Sequence, residues 1–502
     1  MDINVLEWLE KTTSEYGDKI AFSDETDSIS FAQLKQSAEA IGSALGRKGI
    51  YKTPVAVFSG RCVQTVAAFL GAVYAGCSYA PIDSKLPRAR IDSILETLAP
   101  AAVLTDRENY DFVRELGFSE DCITVTGDAA ETEIDREYLS RVRRYANEND
   151  PLYIIFTSGS TGKPKGVMTS HHSLMCYIEA YTSVMKIDDS DILGNQSPLD
   201  YIAAVRDIYI PLFCGCSTVI IPKVCFSSPA KLFDFINREK VTSVGWSVSA
   251  LTVPTSLGAF EHGKPEHLKK VCFSGSVMPG KCLKEWQDNL PDTVFVNQYG
   301  PTEATASCTY YVVNEKVDES TVLPIGKPYR NYNVFLLNED GTATRQGEEG
   351  EICVSGPILA LGYYNDPERT ASSFVQNPLN KAYRELIYKT GDIGVMRADG
   401  TLEFHGRMDR QIKHLGHRVE LDEIETAASR IYGVDESCAV YNKGKEVIWL
   451  FYTGTAQTKE IAVSLRKYLP GFMVPRKLRN IEKIPRLPNG KTDMNTLKKL
   501  SE

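Results

Sequence analysis

Apolar runs of strand length alternate with stretches of helical period over the first two-thirds of the chain. The run from Val55 to Phe58 precedes a helix-like stretch from Val63 to Ala75, and Ser78 to Ile82 precedes an amphipathic stretch from Ala89 to Leu98. Ala102 to Thr105, Tyr153 to Thr157 and Ser217 to Pro222 read as further strands with helical segments between them. Strands alternating with helices predict βαβ units and sheets that are mostly parallel. From Leu323 the texture changes. Val334 to Asn338, Gly350 to Ser355 and Leu402 to His405 are short strands bounded by Gly/Asp turns, which predicts a β-rich subdomain over about 323–408. After Arg407 a compact α+β segment runs to the end. The fold class expected is therefore α/β: a large N-terminal domain, 1–408, followed by a small α+β domain, 409–502.

Length agrees with that division, since 502 residues exceed one ordinary core. The net charge of −9, without a long basic run, argues against duplex nucleic acid as a partner. The longest uncharged stretch, Cys62 to Ile82, contains Gln64, Gly71, Gly76, Ser78 and Pro81. It reads as a buried helix running into a strand, not as a membrane span. The opening Met1-Asp2-Ile3-Asn4 lacks a basic n-region and apolar h-region. Twelve cysteines show no CxxC pair and no Cys/His ligand spacing, so structural zinc is not expected and a reducing cytoplasm is. His171-His172 invites a hydrolase reading, but no GxSxG elbow accompanies it. A helix-start pair that caps or packs is the plainer account.

The strand ending at Phe156 runs into Thr157-Ser158-Gly159-Ser160-Thr161-Gly162-Lys163-Pro164-Lys165-Gly166. Glycines let backbone N–H groups approach phosphate oxygens, hydroxyls donate, and lysines neutralise charge. This loop is not a Walker A motif. Thr157 stands where its first glycine belongs, and Pro164 where a magnesium-binding Ser or Thr belongs. A flexible Gly/Ser surface loop is the bland alternative, although linkers rarely carry so many hydroxyls and lysines together.

The same loop resembles the signature of the adenylate-forming superfamily, which comprises acyl-CoA synthetases, luciferases and the adenylation domains of nonribosomal peptide synthetases. Further segments resemble it in the family's order: Tyr74 to Asp83, Asn297-Gln298-Tyr299-Gly300-Pro301-Thr302-Glu303, Tyr388-Lys389-Thr390-Gly391-Asp392, Gly406 to Lys413, and Pro488-Asn489-Gly490-Lys491. Length and the Tyr388–Asp392 wording are most similar to stand-alone carrier-protein ligases such as those for D-alanine. The resemblance implies binding of ATP with Mg²⁺. Tyr299 would stack on adenine, Asn297 bond its edge, and Gln298, Gly300, Pro301, Ala306 and Phe404 line the nucleotide. Thr302 would contact the α-phosphate, Glu303 hold the metal, Asp392 take the ribose hydroxyls, and Arg407 reach ribose or phosphate. Asp409 falls at the hinge of a C-terminal domain that the family moves between two half-reactions. Lys491, with Thr302 and Glu303, is implied as catalytic: a cation aimed at the α-phosphate stabilises charge gathering on its equatorial oxygens.

The acid is approached through Asp207-Ile208-Tyr209, which anchors the register of the substrate pocket. Amino-acid-activating relatives place an Asp five residues before such an acidic residue, to neutralise the α-ammonium. Here that position is Ile202. An unpaired buried ammonium costs several kcal/mol, which favours an acid without an α-amino group, such as a hydroxybenzoate. Two alternatives stay open. Asp200 could supply the charge if the chain slips by two residues, or the amine could sit elsewhere, as in β-amino acids. The other pocket candidates are Ala203, Arg206, Ser249, Cys272, Ser274, Gln298 and Ala306.

The function expected is activation of a carboxylic acid as an acyl-adenylate, then transfer to the phosphopantetheine thiol of a separate carrier protein. An acyl-CoA synthetase, and a nucleotide-binding regulator without chemistry, are the rivals. Neither membrane nor nucleic acid is expected as a partner. Glu303 and Lys491 are both present, which argues against the regulator.

Overall fold

The structure is a computed structural model, and it describes residues 2–159, 162–486 and 492–502. By internal packing the chain divides into two compact units. One comprises Met1–Asp83, Ala99–Ile155 and Val167–Gly406; the other comprises Ser84–Leu98, Phe156–Gly166 and Arg407–Glu502.

The first unit contains two large sheets. In the seven-stranded sheet the order is Gly362–Tyr363, Lys165–Ser170, Pro151–Thr157, Ser78–Pro81, Pro54–Phe58, Ala102–Thr105 and Ile123–Val125. Pro54–Phe58 pairs in parallel with both of its neighbours. Its five residues are all buried, as expected of a strand covered on both faces. In the nine-stranded sheet, Ile192–Asn195, Ser243–Ser247, Lys270–Ser274 and Val294–Tyr299 pair in parallel. A five-stranded antiparallel sheet, built from Asn333–Leu337, Glu349–Ser355, Leu386–Met396, Phe374–Gln376 and Leu402–Arg407, accounts for the change of texture after Leu323. The expected α/β class with parallel-rich sheets and a β-rich portion is what forms.

The stretch from Cys62 to Ile82 becomes helix Val63–Tyr74 and strand Ser78–Pro81. Among the described residues no helix is long and apolar enough to cross a membrane. Helix Val63–Tyr74 packs on helix Phe31–Arg47, which starts with a capping box between Ser30 and Gln33. Glycines set the approach of these two helices. A Cβ on Gly42 would lie 2.6 Å from the Cβ of Tyr74, and one on Gly71 would lie 2.6 Å from the Cβ of Ile41. His171 opens helix His171–Met185 behind the N-cap Ser170. Its Nδ1 accepts from the Val5 N–H at 3.4 Å, and burial pushes the imidazole down to about 3. It is a neutral packing residue.

The second unit has its own core, built around Ile424, Leu450, Tyr452, Ile461 and Met473. Strands Val434–Asn442, Val447–Gly454 and Lys477–Asn480 form its sheet, beside the hairpin Gln411–His414/His417–Glu420. Helix Arg88–Leu98 is tied to helix Leu421–Ala428 by a buried ion pair, Arg90 Nη1 to Glu423 Oε1 at 2.5 Å.

A glycine inside a helix forgoes about 1 kcal/mol of propensity relative to alanine, so its retention needs a packing reason. At Gly71 that reason is the overlap with Ile41. Gly71→Ala is expected to lower the unfolding free energy by about 1–2 kcal/mol, overpacking outweighing the propensity gain. Urea denaturation measures it, and a raised midpoint would show that the two helices can separate freely.

Candidate active site

Strand Val294–Tyr299 delivers Asn297, Gln298 and Tyr299 to its C-terminal end, where the chain turns through Gly300 and Pro301 into a 3₁₀ turn, Thr302–Ala304. The turn is tight. A Cβ on Gly300 would meet the Ser307 Cα and sit 2.8 Å from the Cys308 nitrogen. Thr305 and Ala306 take left-handed backbone, φ 45° and 72°, and the Thr305 hydroxyl donates to the Ile358 carbonyl at 2.7 Å, holding that strained pair. Glu303 is thereby placed at 0% exposure. A carboxylate there needs donors, and the Tyr363 hydroxyl donates to its Oε1 at 2.8 Å. Backbone anchors the same point, as the Ala360 N–H donates to the Glu303 carbonyl at 2.9 Å.

Asp392 arrives from strand Leu386–Met396. Pairing with Glu349–Ser355 shifts register between Glu351 and Cys353, so that Thr390, Gly391 and Asp392 fall in the irregularity. Gly391 supplies φ 71°, the Thr390 hydroxyl donates to the Ile352 carbonyl at 2.8 Å, and the Asp392 N–H donates back to that hydroxyl. A bulge of this kind re-aims one side chain off its strand. Here it brings Asp392 to the Tyr299 hydroxyl, which donates to its Oδ2. The Tyr299 ring lies 6.3 Å from that of Phe404. Asn297 is buried, its amide N–H committed to the Pro324 carbonyl at 2.8 Å, and Thr302 is buried at the turn. Of the residues assigned to the nucleotide in this unit, Tyr299, Asp392 and Phe404 meet, while the Asn297 and Gln298 amides are bonded to Pro324 and Tyr329.

In the second unit, the Ser158 hydroxyl donates to the Arg418 carbonyl at 2.9 Å, and the Gly162 N–H to the Gly159 carbonyl at 2.9 Å. Gly162 has φ 76°, a conformation that favours glycine. Thr157 Oγ1 is buried without a hydrogen-bond partner among the described residues, and Lys165 lies near the Glu420 carboxylate. Arg407 forms a two-pronged pair with Asp409, Nε to Oδ1 at 2.6 Å and Nη2 to Oδ2 at 2.7 Å. Burial acts to raise the Asp409 carboxyl, but hydrogen bonds from Arg407 and its charge hold it below its ordinary value. Ser160, Thr161 and Lys491 lie outside the described residues, as does the turn that precedes Lys491.

The pocket candidates gather on one sheet face. Gly245, Cys272 and Val296 stand in register across three strands, and Ser247, Ser274 and Gln298 form the next row two residues along. Helix Ala204–Cys214 lays Arg206 onto this face. A Cβ on Gly245 would stand 2.7 Å from the Arg206 Cζ, so the guanidinium occupies the space a side chain would have filled. Gln298 Nε2 donates to the Tyr329 hydroxyl at 2.5 Å, and the Ser247 and Ser249 hydroxyls lie 3.0 Å apart. Ile202 is 7% exposed and belongs to the same apolar cluster as Val205, Tyr209 and Cys272; Ala203 directly precedes the helix. Tyr363, Tyr177 and Gly245 were not reached by sequence reasoning. The Gly362-Tyr363 step before a Pro-started helix was the one signal available for Tyr363.

A buried glutamate at a strand-end turn and an aromatic–aspartate pair in one unit, and a glycine-hydroxyl-lysine loop in the other, are each features that a nucleotide-using enzyme of the adenylating class calls for. The AMP-binding enzyme family matches residues 9–364, well over half of the chain, and the chain belongs to that family. It is 30% identical to a D-alanine–D-alanyl carrier protein ligase of Bacillus cytotoxicus over 523 aligned residues, covering 99% of each chain. It is also 29% identical to tyrocidine synthase 1 of Brevibacillus parabrevis, over 97% of this chain but 44% of that one. The chain thus spans less than half the length of the peptide synthases it matches. Among solved structures, IdnL1 superposes with TM-score 0.83 at 25% identity, covering 97% of this chain and 99% of the other. The Vibrio cholerae adenylation domain AlmE, solved with glycyl-adenosine-5′-phosphate, superposes with TM-score 0.85 at 24% identity, covering 100% and 98%. That likeness shows the fold.

Asp200 sits two residues before Ile202. Burial, reinforced by the nearby Asp83 charge and opposed by Lys223, pushes its carboxyl up to about 6. A raised acid favours folding while it is protonated, so its contribution is complete below its unfolded value of 3.8 and is lost as pH rises through about 6. Asp200→Asn is therefore expected to stabilise the protein by about 1–3 kcal/mol at pH 7.5 and to change little near pH 4. Thermal or urea unfolding at the two pH values decides. A destabilised variant at pH 7.5 would mean that the ionised carboxylate is held by a partner.

Proposed function

We propose that the chain activates a carboxylic acid lacking an α-amino group as its acyl-adenylate, then passes the acyl group to a phosphopantetheine thiol on a carrier protein. The acid's carboxylate, already ionised at neutral pH, attacks the α-phosphorus of ATP and pyrophosphate leaves. The thiol then attacks the mixed anhydride and AMP leaves. The observation that carries the adenylating half is the buried Glu303–Tyr363 pair beside Tyr299–Asp392. These give an aromatic surface for a base, acceptor oxygens for ribose hydroxyls, and a carboxylate for a hard cation.

The donor set fits Mg²⁺. Among the described residues no group of three or more His, Cys, Asp or Glu stands ready to cage an ion. Magnesium commonly takes one carboxylate and fills its shell from substrate phosphates and water. Glu303 would supply that carboxylate, and the bound ion would neutralise charge on the polyphosphate. Tyr363 fixes the Glu303 rotamer so that binding involves no reorganisation.

One feature supports the reading of the acid and another that of the acceptor. Ile202 is packed into an apolar cluster, where an ammonium would have no partner. Full-length similarity to a D-alanyl carrier protein ligase supports a carrier thiol over CoA, and it also keeps a small amino acid as the second reading, with Asp200 as the charge partner. Exchange of labelled pyrophosphate into ATP, with benzoates set against the matching aromatic α-amino acids, tests the choice. A preference for the benzoates of at least tenfold in kcat/KM is expected. A preference for the amino acids would transfer the assignment to Asp200.

Lys491 is proposed to act on the α-phosphate in the first half-reaction. Lys491→Ala is expected to lower pyrophosphate exchange by about 10²–10³-fold, with acyl transfer from preformed adenylate affected much less. Equal loss in both half-reactions would contradict that role.

A further inference from the structure

The sheet face beneath the pocket candidates carries more positive charge than it neutralises. Arg206 is 2% exposed. Its Nη2 donates to the Gly245 carbonyl, while Nε has no hydrogen-bond partner among the described residues. The ion-pair partner is Asp207, with Nε to Oδ1 at 3.8 Å, beyond hydrogen-bond length. Asp207 is not exclusive to it. Its Oδ2 accepts from Asn195 Nδ2 at 2.8 Å, and its charge is shared with Arg61. Arg61 differs from Arg206 in that all three of its guanidinium nitrogens donate, to the carbonyls of Asn195, Ser197 and Ile221 and to the Asn195 side chain. Two guanidiniums thus answer to one buried carboxylate.

The other groups around Arg206 are neutral. Tyr181 and Tyr177 flank it, with the guanidinium 5.9 Å from the Tyr181 ring centre, and burial pushes the Cys272 thiol up to about 11. The Tyr177 hydroxyl, fully buried, faces Ser307 and Arg206 but makes no close hydrogen bond among the described residues. A hydroxyl and a guanidinium Nε, both buried and neither closely bonded to an acceptor, lie among the residues from which the substrate pocket is read. Asp207 offsets the charge but not the missing hydrogen bond, and a buried donor without an acceptor is costly, so these two groups suit an anionic acceptor that arrives from outside the chain.

We propose that Arg206 and Tyr177 receive a second carboxylate on the substrate, so that the acid activated is a dicarboxylate. The first carboxylate reacts at phosphorus and the second anchors the far end of the molecule. This rests on the adenylating reading above and deepens it. It is compatible with Ile202, because a diacid without an amine needs no counter-ion there. Arg206 is on this account a specificity-determining residue. Its planar fork suits a carboxylate.

The test compares diacids with their own monoamides, which match in size and differ in one charge: glutarate with glutaramate, and terephthalate with 4-carbamoylbenzoate. Pyrophosphate exchange by the wild-type chain is expected to favour the better diacid over its monoamide by about 10²-fold in kcat/KM, carried mainly by KM. Arg206→Gln should bring that ratio close to one, and Arg206→Lys should retain part of it. A wild-type ratio near one, with monoacids turned over freely, overturns the proposal while leaving adenylation intact. Failure of every acid to support exchange would instead overturn the adenylating reading itself. Should Arg206→Gln fail to fold, the wild-type ratio alone still decides. An Arg206→Gln variant that folds and keeps the full discrimination would also overturn the proposal.

Discussion

A carboxylate with no solvent exposure must be held by donors or be neutralised, and the strand-end turn of this molecule is organised around one such group. Glu303 sits at 0% exposure on a one-turn 3₁₀ segment. Its side chain is met by Tyr363, and its backbone by the Ala360 N–H. The turn that carries it closes only because Gly300 has no Cβ and because Thr305 and Ala306 accept left-handed backbone. Strain at Thr305 and Ala306 is sustained by the parallel strand behind the turn and by the Thr305–Ile358 hydrogen bond. The result is a carboxylate whose position is fixed by the chain itself.

Much of this was legible in the sequence, for reasons that differ from residue to residue. The strands from Val55 to Thr105 declare themselves because parallel strands buried on both faces are written as unbroken apolar runs. Thr390-Gly391-Asp392 stands out because glycine at a left-handed position and a hydroxyl that bonds the backbone are both local requirements. Tyr363 did not stand out. It reaches Glu303 across 60 positions of chain, and no local pattern encodes a hydrogen bond between a β-rich portion and a strand-end turn. Nor could sequence show that the glycine loop packs with the residues after Arg407. That grouping depends on single tertiary bonds such as Ser158 to the Arg418 carbonyl.

Gly245 and Arg206 are 39 positions apart, and each is unremarkable alone. Together they trade a side chain on the sheet for a guanidinium laid over it. This exchange shows why a residue-by-residue reading of a substrate pocket is incomplete. Arg206 at a lining position could have snorkelled to water, as long cationic side chains usually do. The missing Cβ at Gly245 lets it lie flat on the sheet instead, and burial then converts an ordinary arginine into a strong demand for negative charge.

The two sites therefore manage buried charge in opposite ways. Glu303 is satisfied from within the chain, by a tyrosine hydroxyl, so its carboxylate keeps a fixed direction. Arg206 is satisfied only in part, because Asp207 divides its charge with Arg61, whose three guanidinium nitrogens all donate. Burial pushes the Asp207 carboxyl up to about 6 against the Arg206 charge, so the anion is present near neutrality but is held at 3.8 Å from Arg206, without a hydrogen bond to it. A substrate anion entering beside Arg206 would relieve the guanidinium and let Asp207 serve Arg61. Binding energy at the far end of the acid would then come from a hydrogen-bond deficit built into the chain. Such a deficit lowers the stability of the free protein, and an uncharged competitor of the same shape gains nothing from it.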